Sequence, residues 1–337
     1  MKKTFLLLAV LLWTICAFAQ TPAAYIQRNT PTEVRVLKAK EDSLKTLAKS
    51  LLSDTLTAKR MRADSLFIRT LVRALQVKNS FYYPFSKVQG IGKVYAPDST
   101  FRIITWNLYI NDYYSRQRGA IQFKTADGSL KLVPLRDFSE FSENPLDSVR
   151  GKDNWIGAVY YNMVKTEYKG KPYYTLFGFD EHSVRSNRKW IEVLTFNERN
   201  QPQFGGPFFS FEQDTGKPRP TQFRYYIEYK KEASTIVNFV PDENMILFDH
   251  LISETDEPDN PYTYIPDGDY EGFKWQDGKW VHVDKVFNFK IDMKNVDPYL
   301  GNPPVGDPIL DKEGNRDEKK LMEKSDKNKG KKKEDEE

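Results

Sequence analysis

The sequence predicts a mainly β protein that begins with a helical pair and ends in a charged tail. In the helical segment, apolar side chains recur every three or four positions, and neither Gly nor Pro interrupts them. The long middle segment is rich in aromatic and β-branched side chains, with turn signals at short intervals. We therefore divide the chain into a signal peptide (1–19), a polar leader (20–31), a helical segment (32–80), an all-β domain (81–296) and a disordered charged tail (297–337).

The first nineteen residues have the pattern of a secretory signal peptide. Lys2 and Lys3 precede an apolar run at residues 5–18, which is too short to cross a bilayer of about 30 Å as a helix. A small-x-small site at residues 17–19 predicts cleavage before Gln20, with an uncleaved N-terminal anchor as the alternative. The pattern predicts export to the periplasm, to the outer membrane or out of the cell, with no membrane span left after cleavage.

Scarce residue types exclude several chemistries. The 337 residues include one cysteine, Cys16, and three histidines, His182, His250 and His282. Cys16 lies in the predicted signal, and the bulky Ile15 before it argues against lipidation. The mature protein is therefore expected to have no disulfide, no Cys-rich zinc site and no cysteine nucleophile. A net charge of +4 is near neutral for this length and argues against a general nucleic-acid binder.

The helical segment predicts two amphipathic helices. Leu44 and Leu51 belong to one apolar face, Phe67 and Leu71 belong to another, and residues 53–55 can end the first helix and cap the second. We expect the pair to pack on the body of the protein. A projecting arm or partner-binding coiled coil, and binding to a membrane surface, are the alternatives.

Twelve β-strands are predicted in the all-β domain. Asp127-Gly128 and Asp277-Gly278 are hairpin signals, and such short connections make neighbouring strands antiparallel. A parallel α/β sheet is excluded because no long helical pattern separates the strands. The strands lie at Gly92–Tyr95, Phe101–Ile110, Gly119–Lys124, Leu130–Leu135, Ile156–Lys165, Tyr173–Phe179, Trp190–Phe196, Phe223–Lys230, Thr235–Val240, Met245–His250, Gly272–Trp275 and Trp280–Val283.

Twelve strands exceed what one flat sheet holds, so they predict an antiparallel meander closed as a barrel, packed as a sandwich or arranged as a small propeller. Three blocks of three strands, at 101–135, 156–196 and 223–251, favour a repeated unit. The tail that follows holds ten basic and ten acidic residues between Asp311 and Glu337. Such a composition predicts disorder, because it cannot bury enough apolar surface to offset the entropy of ordering.

Aromatic side chains are the first candidate binding residues. Adjacent pairs such as Tyr160-Tyr161 face opposite sides of a strand, so one ring packs inside while the other can reach the surface. Exposed Tyr and Trp can stack on sugars or anchor protein partners. Ordinary cross-strand packing is the alternative. The candidate binding residues are Trp106, Tyr114, Trp155, Tyr174 and Tyr226.

An acidic stretch at residues 254–271 is a candidate calcium site. It holds seven carboxylates and no Lys or Arg. Calcium takes six to eight hard oxygen ligands, and Asp267 and Asp269 have alternate-residue spacing, although the other positions of an EF-hand are missing. A solvated acidic loop is the alternative. The candidate metal ligands are Asp256, Asp259, Asp267 and Asp269.

Histidines beside carboxylates are candidate bases, but no catalytic set is assignable. His182 follows Asp180-Glu181, and His250 follows Asp249. A structural role for each histidine is the alternative, since no triad is visible. The sequence has no Gly-x-Ser-x-Gly elbow and no phosphate-binding glycine loop, so no cofactor other than calcium is expected.

Four short blocks resemble a group of exported Bacteroidota proteins that has no established activity. The blocks are 81–85, 171–179, 190–196 and 248–251. The resemblance covers roughly residues 80–290 and extends to the cleavage before Gln20. It implies a compartment and a taxon, and no catalytic residue.

These features lead to three functional hypotheses. The first is a non-enzymatic cell-envelope module that presents an aromatic β surface to a protein or glycan partner. The second is a carbohydrate-active hydrolase that uses carboxylates on a β scaffold. The third is a calcium-binding envelope protein.

Overall fold

The computed structural model describes residues 29–111, 113–212, 214 and 219–286. The predicted signal peptide, nearly all of the leader and the predicted tail lie outside these residues, so those three assignments stay predictions. The described chain is mainly β with two N-terminal helices, which confirms the predicted fold class. Neither helix has an apolar stretch long enough to cross a membrane.

Two antiparallel helices open the described chain, and the sequence specifies where each begins and ends. Helix α1 spans Pro31–Ser53, and its N-terminus is closed by a capping box between Thr30 and Glu33. Helix α2 spans Thr57–Leu75. The predicted break at residues 53–55 is confirmed. The helices pack on the body, as predicted, and they share an apolar core with the next strand pair.

All twelve predicted strands form, together with two short ones that the sequence pattern did not indicate. The strands are β1 Gly92–Tyr95, β2 Phe101–Asn111, β3 Tyr114–Phe123, β4 Lys131–Arg136, β5 Val159–Tyr168, β6 Lys171–Asp180, β7 Ser186–Phe196, β8 Pro202–Phe204, β9 Phe209–Ser210, β10 Arg224–Lys230, β11 Val237–Val240, β12 Met245–Ser253, β13 Tyr264–Gln276 and β14 Lys279–Val283. Neighbours pair antiparallel except β9, which lies parallel to β14.

The strands form three separate sheets, and none of the three closes on itself within the described residues. Sheet 1 has the order β1-β2-β3-β4, and sheet 2 has the order β10-β7-β6-β5 with β8 beside β7. Sheet 3 has the order β11-β12-β13-β14-β9. A closed barrel is therefore not formed there. The third predicted block, 223–251, is also divided, because β10 pairs with β7 instead of with β11.

The helices and sheets are stacked face to face in four layers. Sheets 1 and 2 pack as a sandwich, the helices cover the outer face of sheet 1, and sheet 3 covers the outer face of sheet 2. Ile104 and Trp106 of β2 pack against the helices, while Phe101 and Ile103 pack against sheet 2. Sheet 2 in turn shares a second apolar core with sheet 3, and this core includes Phe177 of β6 together with Phe248, Phe273 and Trp280 of sheet 3. Alternate residues of β2 and β6 are therefore buried on both faces.

A buried carboxylate docks helix α2 onto sheet 1. Asp64 accepts a hydrogen bond from the Trp106 indole at 2.9 Å and lies 3.0 Å from the Arg118 guanidinium. Both partners are on sheet 1, and the Asp64 side chain is almost completely buried. An ionised group in this position needs these partners, because an unpaired buried charge is strongly unfavourable.

We predict that Asp64→Ala lowers the free energy of unfolding by about 2–3 kcal/mol, since it leaves a buried indole N–H and an arginine without their acceptor. Asp42→Ala is the matched control, because Asp42 on α1 forms an exposed ion pair with Lys87 and should leave the stability nearly unchanged. Urea denaturation followed by circular dichroism measures both. Equal losses in the two variants would contradict the docking role of Asp64.

Candidate functional site

A groove opens where sheets 1 and 2 meet, at the tip of the β2–β3 hairpin. It consists of two adjoining cavities of about 200 Å³ and 410 Å³ that share Tyr113, Tyr114 and His182 in their walls. The walls come from the hairpin tip, the segment 137–145 after β4, and the turn between β6 and β7. We call this whole space the groove.

The rim of the groove carries exposed aromatic rings. Tyr113 is 85% exposed, Phe141 is 65% exposed and Phe138 is 36% exposed. Phe138 packs on Phe141 with ring centroids 5.0 Å apart. Among the described residues these are the three most exposed aromatic side chains; Tyr113 and Phe141 line the groove, and Phe138 packs beside Phe141. Rings that remain in water at a concave site mark an interaction surface.

Asp137 holds the wall segment 137–145 in place. Its Oδ1 accepts hydrogen bonds from the Ser139 backbone N–H at 3.0 Å and from the Ser139 hydroxyl at 2.6 Å. Its Oδ2 accepts from the Gln117 backbone N–H at 2.8 Å. The Ser139 hydroxyl in turn accepts from the Gly157 N–H. These bonds tie the short helical turn Ser139–Phe141 to sheet 1 and direct Phe141 toward the groove.

A row of charges crosses three neighbouring strands on the sheet 2 side. Asp180 on β6 lies opposite Arg188 on β7, and Arg188 lies opposite Glu228 on β10. Arg188 Nε contacts Glu228 Oε2 at 2.7 Å, and the Ser186 hydroxyl donates to the other Glu228 oxygen. Asp180, Arg188 and His182 all line the groove. The pleat places these side chains on one face because partners across a ladder point the same way.

Burial shifts the pKa values of two groups in the groove wall, Asp180 and His182. It raises the pKa of Asp180 to about 6, against the opposing effect of the Arg188 charge. Burial and then the Arg188 charge lower the pKa of His182 to about 4. The histidine is therefore neutral at pH 7, with one nitrogen that can donate and one that can accept. Asp180 changes its charge in a mildly acidic range.

Two buried polar atoms in the groove wall have no hydrogen-bond partner among the described residues. They are Gln117 Oε1, an acceptor, and Trp190 Nε1, a donor. Both side chains are more than nine-tenths buried and line the smaller cavity. The other end of the Gln117 amide donates to Asp180 at 3.2 Å. Unpaired buried groups are rare in folded proteins.

Three of the five predicted binding residues are core residues and present no ring to solvent. The Trp106 indole is bonded to Asp64, and the Trp155 indole is bonded to Tyr160. Tyr174 packs edge-on against Phe101. Trp106 and Tyr174 are buried because both faces of their strands are covered, whereas Trp155 lies in the segment between β4 and β5 and is enclosed in the core between sheets 1 and 2.

The other two predicted binding residues lie at or beside the groove. Tyr114 lines both cavities. Tyr226 is half-buried next to Trp190, with ring centroids 4.7 Å apart, and the Arg188 guanidinium lies 4.5 Å from its ring centre. Tyr114 therefore belongs to the groove wall, and Tyr226 contacts the charged row from outside the groove.

The predicted calcium ligands are spread along an exposed loop and one strand. Asp256 and Asp259 lie in the turn after β12, while Asp267 and Asp269 lie within β13. Asp267 pairs with His250 at 2.8 Å. Within the described ranges, no group of three or more His, Cys, Asp or Glu side chains could hold a metal ion.

Each histidine has carboxylate neighbours, but not always the one next to it in sequence. His182 lies 3.9 Å from Asp180 and 3.8 Å from Glu228, which is beyond hydrogen-bond distance. His250 binds Asp267, whereas Asp249 accepts from the backbone of Ile236.

The third histidine, His282, is buried and bonded to carboxylates through both ring nitrogens. Nδ1 lies 2.8 Å from Asp214 and Nε2 lies 2.8 Å from Glu271. Both nitrogens must carry a proton to satisfy two carboxylates, so the arrangement favours the imidazolium. Burial opposes this charge, but the bonds to Glu271 and Asp214 outweigh it and raise the pKa of His282.

Sequence reasoning missed Asp137, Phe141, Arg188 and Trp190 as groove residues. Strand β7 was predicted to begin at Trp190, whereas it begins at Ser186. The alternation of Ser186, Arg188 and Trp190 was the signal that would have placed them on one face.

No family model, curated protein or solved structure matches the chain. The resemblance to exported Bacteroidota proteins therefore stays a prediction.

We predict that His282→Gln destabilises the protein more at pH 6 than at pH 9. The raised pKa means that the imidazolium stabilises the fold fully below about pH 6.5 and loses this effect as the pH rises through its folded-state pKa. Urea denaturation of both proteins across this pH range measures the difference. His250→Gln is the control, since its ring is more exposed. A destabilisation by His282→Gln that stays constant with pH would contradict the assignment.

Proposed function

We propose that this protein is an exported, non-enzymatic cell-envelope module that binds a glycan in the groove. The observation that carries the proposal is the concentration of exposed aromatic rings at one polar cavity. Tyr113 and Phe141 line it, and Phe138 supports Phe141. Export rests on the predicted signal at residues 1–19.

The chemistry of the walls suits a polyhydroxylated ligand. Aromatic faces pack on the apolar C–H faces of a sugar ring. Asp180 and neutral His182 supply acceptors and donors for hydroxyl groups, and Arg188 adds a fixed cationic donor. Asp180, Arg188 and Phe141 line the smaller cavity of about 200 Å³, and the adjoining cavity of about 410 Å³ gives the groove room for further sugar units.

A glycan fits the groove better than a protein surface does. Protein interfaces have a flat apolar centre from which charged residues are depleted. The groove is concave, and carboxylates, histidine and arginine occupy its interior while the rings stay at its edge.

We predict that Tyr113→Ala and Phe141→Ala each weaken glycan binding about tenfold or more, because each removes a stacking surface worth on the order of 1–2 kcal/mol. An oligosaccharide array identifies a ligand, and isothermal titration of that ligand measures Kd. Ile252→Ala is the matched control, since Ile252 is an exposed apolar residue on sheet 3, away from the groove. Unchanged affinity in both aromatic variants would contradict the proposal, as would an array without any bound oligosaccharide.

A carbohydrate-active hydrolase is the second candidate, favoured by Asp180. This carboxyl has a pKa of about 6, lies in the groove wall and is near enough to Asp137 to be affected by its charge. A carboxyl of this kind can act as a general acid while a second carboxylate serves as its partner.

In that case Asp180→Asn should lower the turnover of a bound oligosaccharide by about 100-fold or more while leaving its Kd within a few-fold. The rate should also fall as the pH rises above about 6, because Asp180 loses the proton that it donates. Asp153→Asn, at an exposed carboxylate outside the groove, is the control. If the oligosaccharide stays intact after prolonged incubation with the unaltered protein, hydrolysis of that ligand is excluded. The non-enzymatic binding function is then the proposal that remains.

A further inference from the structure

Helix α2 presents a row of exposed cations on its outer side. Lys59, Arg62, Arg69 and Arg73 recur at spacings of three, seven and four residues, which places them along one face of the helix. Leu66, which is 37% exposed, fills the gap in the middle of the row. The helix therefore carries a stripe of four positive charges interrupted by one apolar side chain.

Helix α1 repeats the same spacing. Arg35, Lys38, Lys45 and Lys49 are exposed and lie three, seven and four residues apart, with Asp42 in the middle. Asp42 is engaged by Lys87. We call these two sets of four cations the basic rows.

The cations of the basic rows are not neutralised by the rest of the described chain. No carboxylate of the described residues lies within 4 Å of any of the eight, whereas Arg118, Arg188 and Arg224 on the sheets each contact one. Residues 29–78 hold eleven Lys and Arg against five Asp and Glu, a net charge of +6, although the whole chain has only +4. Of those five acidic residues, Glu41 and Asp64 are buried.

Leu66 is the exposed apolar side chain that lies within the basic row of α2. The other exposed apolar side chains of the helical segment, Leu56, Met61 and Val36, lie outside the basic rows. Cations alone would suit any polyanion. Large aliphatic side chains among cations on a helix surface are typical of helices that lie at an anionic membrane interface, where the cations meet headgroups and the apolar groups enter the acyl boundary.

We propose that the basic rows bind an anionic lipid surface and hold the protein against it. The groove is a separate site, and this inference does not depend on its ligand. Each Lys or Arg near an anionic leaflet contributes on the order of a factor of five in partitioning, so four of them supply a substantial attraction. The exposed Leu66 adds apolar contact, which stabilises binding to a lipid surface more than binding to an acidic protein or a polysaccharide.

The test is co-sedimentation of the full chain, purified from a host that exports it, with sucrose-loaded vesicles. One vesicle set is phosphatidylcholine alone, and the other contains 30% phosphatidylglycerol, which we select as the anionic lipid. We expect binding to the anionic vesicles at least about tenfold stronger than to the neutral ones, weakening as salt is raised.

Two four-site variants with equal changes in charge make the comparison. The combined Lys59→Gln, Arg62→Gln, Arg69→Gln and Arg73→Gln variant should bind anionic vesicles at least about tenfold more weakly. The control carries Lys131→Gln, Lys171→Gln, Arg199→Gln and Lys274→Gln, all at exposed positions of the β body, and should bind as the unaltered protein does. Circular dichroism and thermal melting establish that both variants fold.

Leu66→Gln separates a lipid surface from another polyanion. It leaves the charge unchanged and should weaken vesicle binding severalfold, while binding to the soluble polyanion heparin should not change. The proposal is overturned if the unaltered protein does not bind anionic vesicles more strongly than neutral ones. It is also overturned if the two four-site variants bind anionic vesicles with equal affinity, or if Leu66→Gln has no effect on vesicle binding.

Discussion

The groove depends on a pair of opposite charges buried within sheet 2. Arg224 and Glu192 are enclosed by the fold, with 3.1 Å between the guanidinium and the carboxylate. A buried pair is tolerated only when its remaining hydrogen-bonding positions are filled as well. Arg224 fills them with the backbone carbonyls of Pro145 and Ser148, and Tyr160 donates to Glu192. Because Pro145 belongs to the segment that walls the groove, the compensation of one buried charge fixes that wall against sheet 2.

The same requirement orients the helices on sheet 1. Apolar burial provides most of the attraction between these layers, but it is not directional. Asp64 must meet Trp106 and Arg118, and the buried Glu41 on α1 must meet the Tyr83 hydroxyl at 2.6 Å. Asp64 docks α2 directly on sheet 1, whereas Glu41 ties α1 to the segment between α2 and β1, whose Tyr83 carbonyl accepts a hydrogen bond from Arg102 of β2. The groove benefits because its larger cavity is lined partly by the turn between the two helices.

Local sequence patterns predicted the helices and twelve strands because each element is encoded by its own periodicity. The candidate site was predicted only in part, through Tyr114, Tyr226 and the histidine at position 182. Two physical facts account for the rest. The charged row of the groove is assembled from three strands, and the register that aligns them is a property of the whole sheet. Trp106 and Tyr174 are buried because other layers cover both faces of sheets 1 and 2, and the pattern of a single strand does not report how many layers a fold will stack.

Asp64 also links the fold to the charge on its outer surface. It is the one acidic residue of α2, and it is turned inward to dock the helix. A solvated helix usually alternates charges so that opposite signs lie four residues apart, whereas Arg69 and Arg73 place like charges at that distance and weaken the helix slightly. The helix tolerates this repulsion because its inner face is fixed by Asp64 and by apolar packing around Phe67. Because the Asp64 carboxylate points inward, it does not neutralise the cations on the outer face of the helix. An anionic surface outside the protein can supply the opposite charge that these cations lack.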